Sequence, residues 1–315
     1  MNRVPYNAFQ HRDFSMMYGN NTNASLPLDL VKESVMYAFS LRKLRTSYTG
    51  SAIRIRRGSD SVEFDIGFDI NGDLDIATLS ALCPTASAFV TTWYDQSGNG
   101  LNATQSTGSL QPRILISGVL QLQNGLPALY FVNNRFTIAT IYKAELNAEP
   151  LSVALVSSYN AKTSFQSTVW THIGISSMTV QYETGVSADS GISLGLGSVS
   201  VALSKLRSAV NLFYAQGTSN DATNKYAECF GQAVVKNHNT SNLSSLATSE
   251  IIGSSLAGAS ALNGFIQEFI IYNKILNDKV VISNTVNVNP YIKNESFLWL
   301  MKNISNYYGT GFYLQ

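Results

Sequence analysis

The chain has 315 residues, 45% of them apolar and only 13% charged, with a net charge of +1 at pH 7. That length suffices for one large domain or two ordinary ones with a full core. A balance this close to neutral carries no electrostatic footprint for nucleic acid or an anionic membrane, and no segment is as long as a transmembrane helix.

Residues 1–27 are rich in Asn, with scattered aromatics and three Met, and show no periodicity. They read as an extended docking arm. The opening "MNRVPYNAFQHRDF" lacks the apolar run of a secretory signal, so Asn20 and Asn23 read as polar loop rather than glycosylation sites. Leu30, Val31, Val35, Ala38, Phe39, Leu41 and Leu44 then recur at helical spacing behind Asp29, which predicts a helix capped by that aspartate. Next, Ile53 and Ile55 alternate with Arg54 and Arg56, as on a half-buried strand whose basic residues face solvent. "DINGDLD" predicts a hairpin turn at Asn71-Gly72 rather than a calcium loop, whose glycine and closing glutamate are misplaced here. A short helix is expected from Asp75.

From Ala52 on the chain reads strand, turn, strand, beginning with "SAIRIRR" and "VEFDIGF". "AFVTTWY", "PRILIS", "ALYFV", "LSVALVSSY", "SMTVQYE", "ISLGLGSVSVAL", "NLFYAQG", "GQAVV", "SEIIGS" and "GFIQEFIIYN" alternate or are β-branched, separated by Gly, Asn and Ser. A last helix is predicted to end near Tyr307, followed by an aromatic tail. The expected fold class is all-β: an antiparallel β-sandwich (jelly roll) with an N-terminal-side helix and a C-terminal helix. The expected divisions are an arm over 1–27, the sandwich over 28–293, and a helix with tail over 294–315.

Several sites are implied or excluded. "WYDQSGNG" puts Asp95, Ser97, Gly98, Asn99 and Gly100 together, residue types that bond locally to backbone and tolerate positive φ, so a structural turn is expected there. Trp170, His172 and Tyr182, with Glu183 beside them, are candidates for a concave sugar-stacking face, with core filling as the competing reading. His11, His172 and His238 are far apart without ligand spacing, so neither metal nor other cofactor is expected. Cys83 and Cys229 leave one long-range disulfide open.

The segment "AFSLRKLRTSYTGSAIRIRRGSD … FVTTWYDQSGNGLNATQ" resembles the first third of the catalytic β-sandwich of arabinofuranosidase B-type α-L-arabinofuranosidases, over residues 38–113. "EPLSVALV" and "LNGFIQEFIIYNKILND" are similar to strands of concanavalin A-like (LamG-type) jelly rolls, a group that includes phage virion proteins ending, like this chain, on a helix with "NISNYYG". The resemblance implies a nucleophilic Glu after a Met, where this chain has Thr179 after Met178, with Glu183 four residues on. It implies an acid/base Asp in the loop before the "F-x-E" strand, where this chain has Ser254 and Ser255. The family's adjacent cysteine pair is missing, and the partner position of Cys83 is Ala88.

The expectation is therefore a non-catalytic structural protein of a tailed-phage virion, as head decoration, head fibre or tail-associated subunit. It would be a homo-oligomer touching other virion proteins through the arm and the tail, and host surface glycan weakly, with no nucleic acid or membrane partner. The alternatives are a carbohydrate-binding host-attachment module and an arabinofuranosidase-like glycoside hydrolase.

Overall fold

The computed structural model describes residues 26–31, 35–139, 151–160, 166–173, 178–184, 190–196, 199–203, 211–221, 224–229, 249–255, 260–272 and 295–308. Residues 1–25 of the expected 1–27 arm, "GQAVV" and the tail after residue 308 lie outside them.

The first half gives α1 (Pro27–Leu30), β1 (Val35–Ser40), β2 (Ile53–Arg57), β3 (Glu63–Ile66), α2 (Ile76–Leu82), β4 (Ala88–Trp93), β5 (Ala103–Thr104), β6 (Arg113–Ile116), β7 (Val119–Leu120), β8 (Leu122–Gln123), β9 (Leu126–Pro127), β10 (Leu129–Val132) and β11 (Phe136–Ile138). The second half gives β12 (Leu151–Tyr159), β13 (Gln166–Ile173), β14 (Met178–Thr184), β15 (Ser190–Leu196), β16 (Val199–Leu203), β17 (Asn211–Asp221), β18 (Asn224–Cys229), β19 (Ser249–Ile252), β20 (Asn263–Tyr272) and α3 (Glu295–Tyr308).

These strands form an antiparallel sandwich of two layers. In the first, β18, β17, β12 and β20 lie side by side, β1 and β10 share the far edge of β20, and β6 follows β10. In the second, the order is β3, β2, β4, β5, β11, β19, β13, β14, β15, β16. A ladder between β4 and β6 joins the layers.

The interior follows from side-chain alternation. Tyr37, Phe39, Phe131, Leu155 and Phe269 of the first layer pack with Ile53, Ile55, Val90, Trp93, Phe136, Val169, Trp170 and Ile252 of the second. Phe39 lies 5.6 Å from Trp93, and Phe269 6.0 Å from Trp170, centroid to centroid. The outer face of the first layer is also apolar. Val35, Ala38, Ala154, Val156, Ile270 and Tyr272 are covered by Leu28, Leu300, Met301, Ile304 and Tyr308, so α3 lies across that face.

The helix expected over Leu30–Leu44 is not formed. One turn, α1, is followed by β1, all six residues of which are buried. A strand covered on both faces reads as a continuous apolar run, and such a run contains helical spacing by accident. Asp29 does not cap α1, whose N-cap is Leu26; its carboxylate accepts from the Thr46 amide at 3.0 Å. Asp75 does cap α2, accepting from the Thr78 amide at 2.9 Å. The turn at Asn71-Gly72 closes a short bridge from Phe68 to Leu74, with Asp69 accepting from the amides of Asn71 and Asp73. Cys83 is buried as a free thiol, and burial raises its pKa.

Candidate functional site

The corner after β4 is built from side chains that bond to main chain. Asp95, only 4% exposed, accepts at Oδ1 from the amides of Ala38 and Ser97, both at 2.9 Å. Its Oδ2 accepts from the Ser97 hydroxyl at 2.7 Å and the Leu101 amide at 3.0 Å. Asn99 donates to the carbonyls of Val35 and Met36. Gln96 accepts from the Leu44 amide and donates to the carbonyls of Ser40 and Arg42. Gly98 and Gly100 take φ of +97° and +72°, open to glycine without strain. The corner clamps β1, whose one ladder among the described residues is with β20, onto the end of β4.

The outer face of the second layer carries a different arrangement. Register pairs run from Asp65 to Arg54, Thr92, Thr104, Thr137, Ile251, Thr171, Thr179, Gly195 and Ser200, one position per strand from β3 to β16. Directly opposed residues in a ladder share a face, so this is a single row, with threonine at five places. Of the two places where the resemblance expects reactive acids, Thr179 lies on this row and Ser254 follows the end of β19. Thr179 opposes Thr171, and the Thr171 hydroxyl donates to the Ser254 carbonyl at 3.5 Å.

Around Ser254 the described residues are buried: Thr171 is 5% exposed, Ile251 4% and Ser254 1%. The Ser254 hydroxyl donates to the Ser255 carbonyl, and the Ser255 hydroxyl accepts from the Ser260 amide. These hydroxyls bond to main chain. Retaining glycosidases need two carboxyl groups about 5 Å apart, one as nucleophile and one as acid/base, and neutral alcohols supply neither role.

Gly253 lets the loop enter. Its φ is +93°, and an added Cβ would sit 2.5 Å from Phe131 Cδ1 and 2.8 Å from the Asn134 carbonyl oxygen. Gly253→Ala is expected to lower stability by about 2 kcal/mol through left-handed strain and overpacking, read by urea denaturation.

Of the expected sugar-stacking group, Trp170 does not reach an open face. Trp170 is 1% exposed in the sandwich core, and its indole Nε1 donates to Glu250 Oε2 at 3.0 Å. The reason is a bulge in β13 between Thr168 and Trp170, which turns Val169 and Trp170 both inward. His172 opposes Met178 and Glu250 in register, Tyr182 opposes Ser167, and Glu183 opposes Gln166. The side chains of these three lie outside the described residues. In β14, Tyr182 is in step with Val180 opposite Trp170, and Glu183 is out of step with it.

Two buried acids were not singled out from the sequence. Glu250 lies in the core, accepting from the Tyr37 hydroxyl and from Trp170. Glu268 lies on the other side of the first layer, under α3, where Arg42 grips it through Nε at 2.8 Å and Nη2 at 3.2 Å. The hydroxyls of Ser40 and Tyr308 donate to it as well. Burial pulls Arg42 toward neutrality, but the charge and hydrogen bonds of Glu268 outweigh that and raise its pKa. With a sheet between them, Glu250 and Glu268 cannot act as a pair. Among the described residues no cluster of three His, Cys, Asp or Glu is placed to hold a metal ion.

The model of the family described as alpha-L-arabinofuranosidase B, catalytic, matches residues 34–115. The probable alpha-L-arabinofuranosidase B of Aspergillus flavus is 38% identical over 66 residues, covering 21% of this chain and 13% of that protein. The alpha-L-arabinofuranosidase B of Aspergillus oryzae is 36% identical over 66 residues with the same coverage. The match thus spans a small part of these curated relatives.

Solved structures extend the likeness to nearly the whole chain. A GH54 arabinofuranosidase soaked with a cyclic sulfate inhibitor superposes at a TM-score of 0.61, 13% identity, over 92% of this chain and 66% of the other. An arabinofuranosidase complexed with arabinofuranosyl-alpha-1,2-xylobiose superposes at 0.62, 15% identity, over 89% and 64%. The chain therefore carries a β-sandwich of the arabinofuranosidase B catalytic-domain type, with its sequence likeness concentrated in residues 34–115.

Proposed function

We propose that this chain is a non-hydrolytic, sugar-recognising form of the arabinofuranosidase B sandwich, serving as a structural or attachment subunit of a tailed-phage virion. The supporting observation is that Ser254, at one of the two places where the resemblance calls for an acid, is buried with its hydroxyl bonded to main chain, while Thr179 stands at the other. The buried acids Glu250 and Glu268 are each engaged by structural partners. In this reading residues 1–27 and 294–315 contact other virion proteins, the subunit forms a homo-oligomer, and a host surface glycan meets the sandwich.

A second reading, a working arabinofuranosidase, is favoured by the sequence likeness to named enzymes over 34–115. One assay separates the two. With 4-nitrophenyl α-L-arabinofuranoside at high protein concentration, no nitrophenol release is expected. Turnover that Glu183→Gln abolishes would establish the hydrolase instead. The virion setting is tested by mass spectrometry of purified particles, which should contain the chain; recovery only as a free monomer in the host lysate would reject it.

A further inference from the structure

The row on the outer face of the second layer does not stop at its buried centre. Toward β3 it opens, with Thr104 and Asp65 exposed and Thr137, Thr92 and Arg54 half-buried. Tyr94 lies two residues beyond Thr92, and its hydroxyl donates to Asp65 Oδ1 at 2.6 Å. Arg54 holds the same carboxylate with two bonds, Nε to Oδ1 at 2.8 Å and Nη2 to Oδ2 at 2.6 Å.

From these contacts we infer that the stretch from Asp65 to Thr137, flanked by Tyr94, is the face that takes a neutral glycan chain. The inference rests on the sugar-recognition reading and gives it a location away from the buried Thr171 and Ser254.

The chemistry of the strip decides the occupant. Asp65 and Arg54 cancel in charge, so the strip attracts neither anion nor cation. Threonines stand on three adjacent strands; the Thr104 hydroxyl donates to the Thr137 carbonyl at 3.4 Å and keeps its lone pairs as acceptors, a pattern suited to a polyol, while the threonine methyl groups suit sugar C–H faces. The bidentate pair offers planar donors and acceptors at fixed spacing, and Tyr94 supplies an aromatic edge. A protein partner would be anchored by large buried apolar or aromatic residues, and this strip has no Leu, Ile, Phe or Trp among its exposed positions. The four strand-to-strand steps from β3 to β11 span roughly 19 Å at about 4.8 Å each, room for an oligosaccharide rather than one sugar.

The test is calorimetric titration of the full chain with two probes, arabinofuranosyl-xylobiose and xylohexaose. Wild type is compared with Thr104→Ala/Thr137→Ala, with Tyr94→Ala, and with Ser59→Ala as a control in the exposed turn after β2. Thermal melting of each variant shows whether it is folded. Loss of affinity by at least about tenfold in both strip variants, with the control unchanged, is the expected result. If the wild type binds and the double threonine variant binds equally well, the location is wrong and the sugar-recognition reading stands. If the wild type binds neither probe, that reading falls too. If the threonine changes alter the mass of the assembly instead of the affinity, the strip is a subunit contact and the inference is overturned.

Discussion

Replacing Asp95 with alanine is expected to cost about 4 kcal/mol, a large share of the roughly 5–15 kcal/mol that holds a typical domain folded. The carboxylate accepts four hydrogen bonds, from the amides of Ala38, Ser97 and Leu101 and from the Ser97 hydroxyl. Removing it strands three amides, two of them on buried residues, at about 1–3 kcal/mol each less what water recovers. Asp95→Asn keeps one acceptor and turns an amide donor toward the Leu101 N–H, so roughly half the loss is expected. Urea denaturation of the three proteins checks the ranking. An alanine variant as stable as wild type would remove the corner from its place as the clamp on β1.

A loss of about 3–5 kcal/mol is expected for Arg42→Ala, because Glu268 would keep its buried charge without its partner. The side chain of Glu268 is 1% exposed. Arg42 also donates to Asn303 Oδ1 at 2.9 Å and lies 4.2 Å above the Tyr307 ring, so its loss loosens α3 directly. Limited proteolysis should then release a C-terminal fragment that wild type retains. In the double variant Arg42→Leu/Glu268→Leu, most of the stability should return, since an apolar replacement of both partners removes the stranded charge. Ser40 and Tyr308 would still bond each other at 3.2 Å. A double variant no more stable than Arg42→Ala would show that geometry, not charge, holds the helix.

Much of the fold is legible in local pattern because local rules govern it. Arg54 and Arg56 against Ile53 and Ile55 mark β2, Asp75 marks the start of α2, and Asn71-Gly72 marks a turn. β1 defeats the same rules, since its second face is buried in large part by a helix more than 250 residues later. The site is harder still. Tyr37 reaches Glu250 across 213 residues and Arg42 reaches Glu268 across 226, so no window of sequence distinguishes these acids from surface ones. The fate of Trp170 turns on a one-residue bulge that apolar alternation does not announce. The row of threonines is invisible in the linear chain, because each comes from a different strand and only register aligns them.

The pairing of β1 with β20 has a price in time. Ser40 meets Glu268 228 residues downstream, and β20 is the strand on which β1, β10 and β12 all depend. Until the ribosome has passed Tyr272, Tyr37 and Phe39 have no layer to join, and until it has passed Tyr308 the outer apolar face has no lid. Closing so long a loop is slow, and the half-made polypeptide keeps sticky strands in contact with its surroundings throughout. Nascent chains stalled before β20 are therefore expected to aggregate more readily than the finished protein, which pelleting of chains truncated before Asn263 would show.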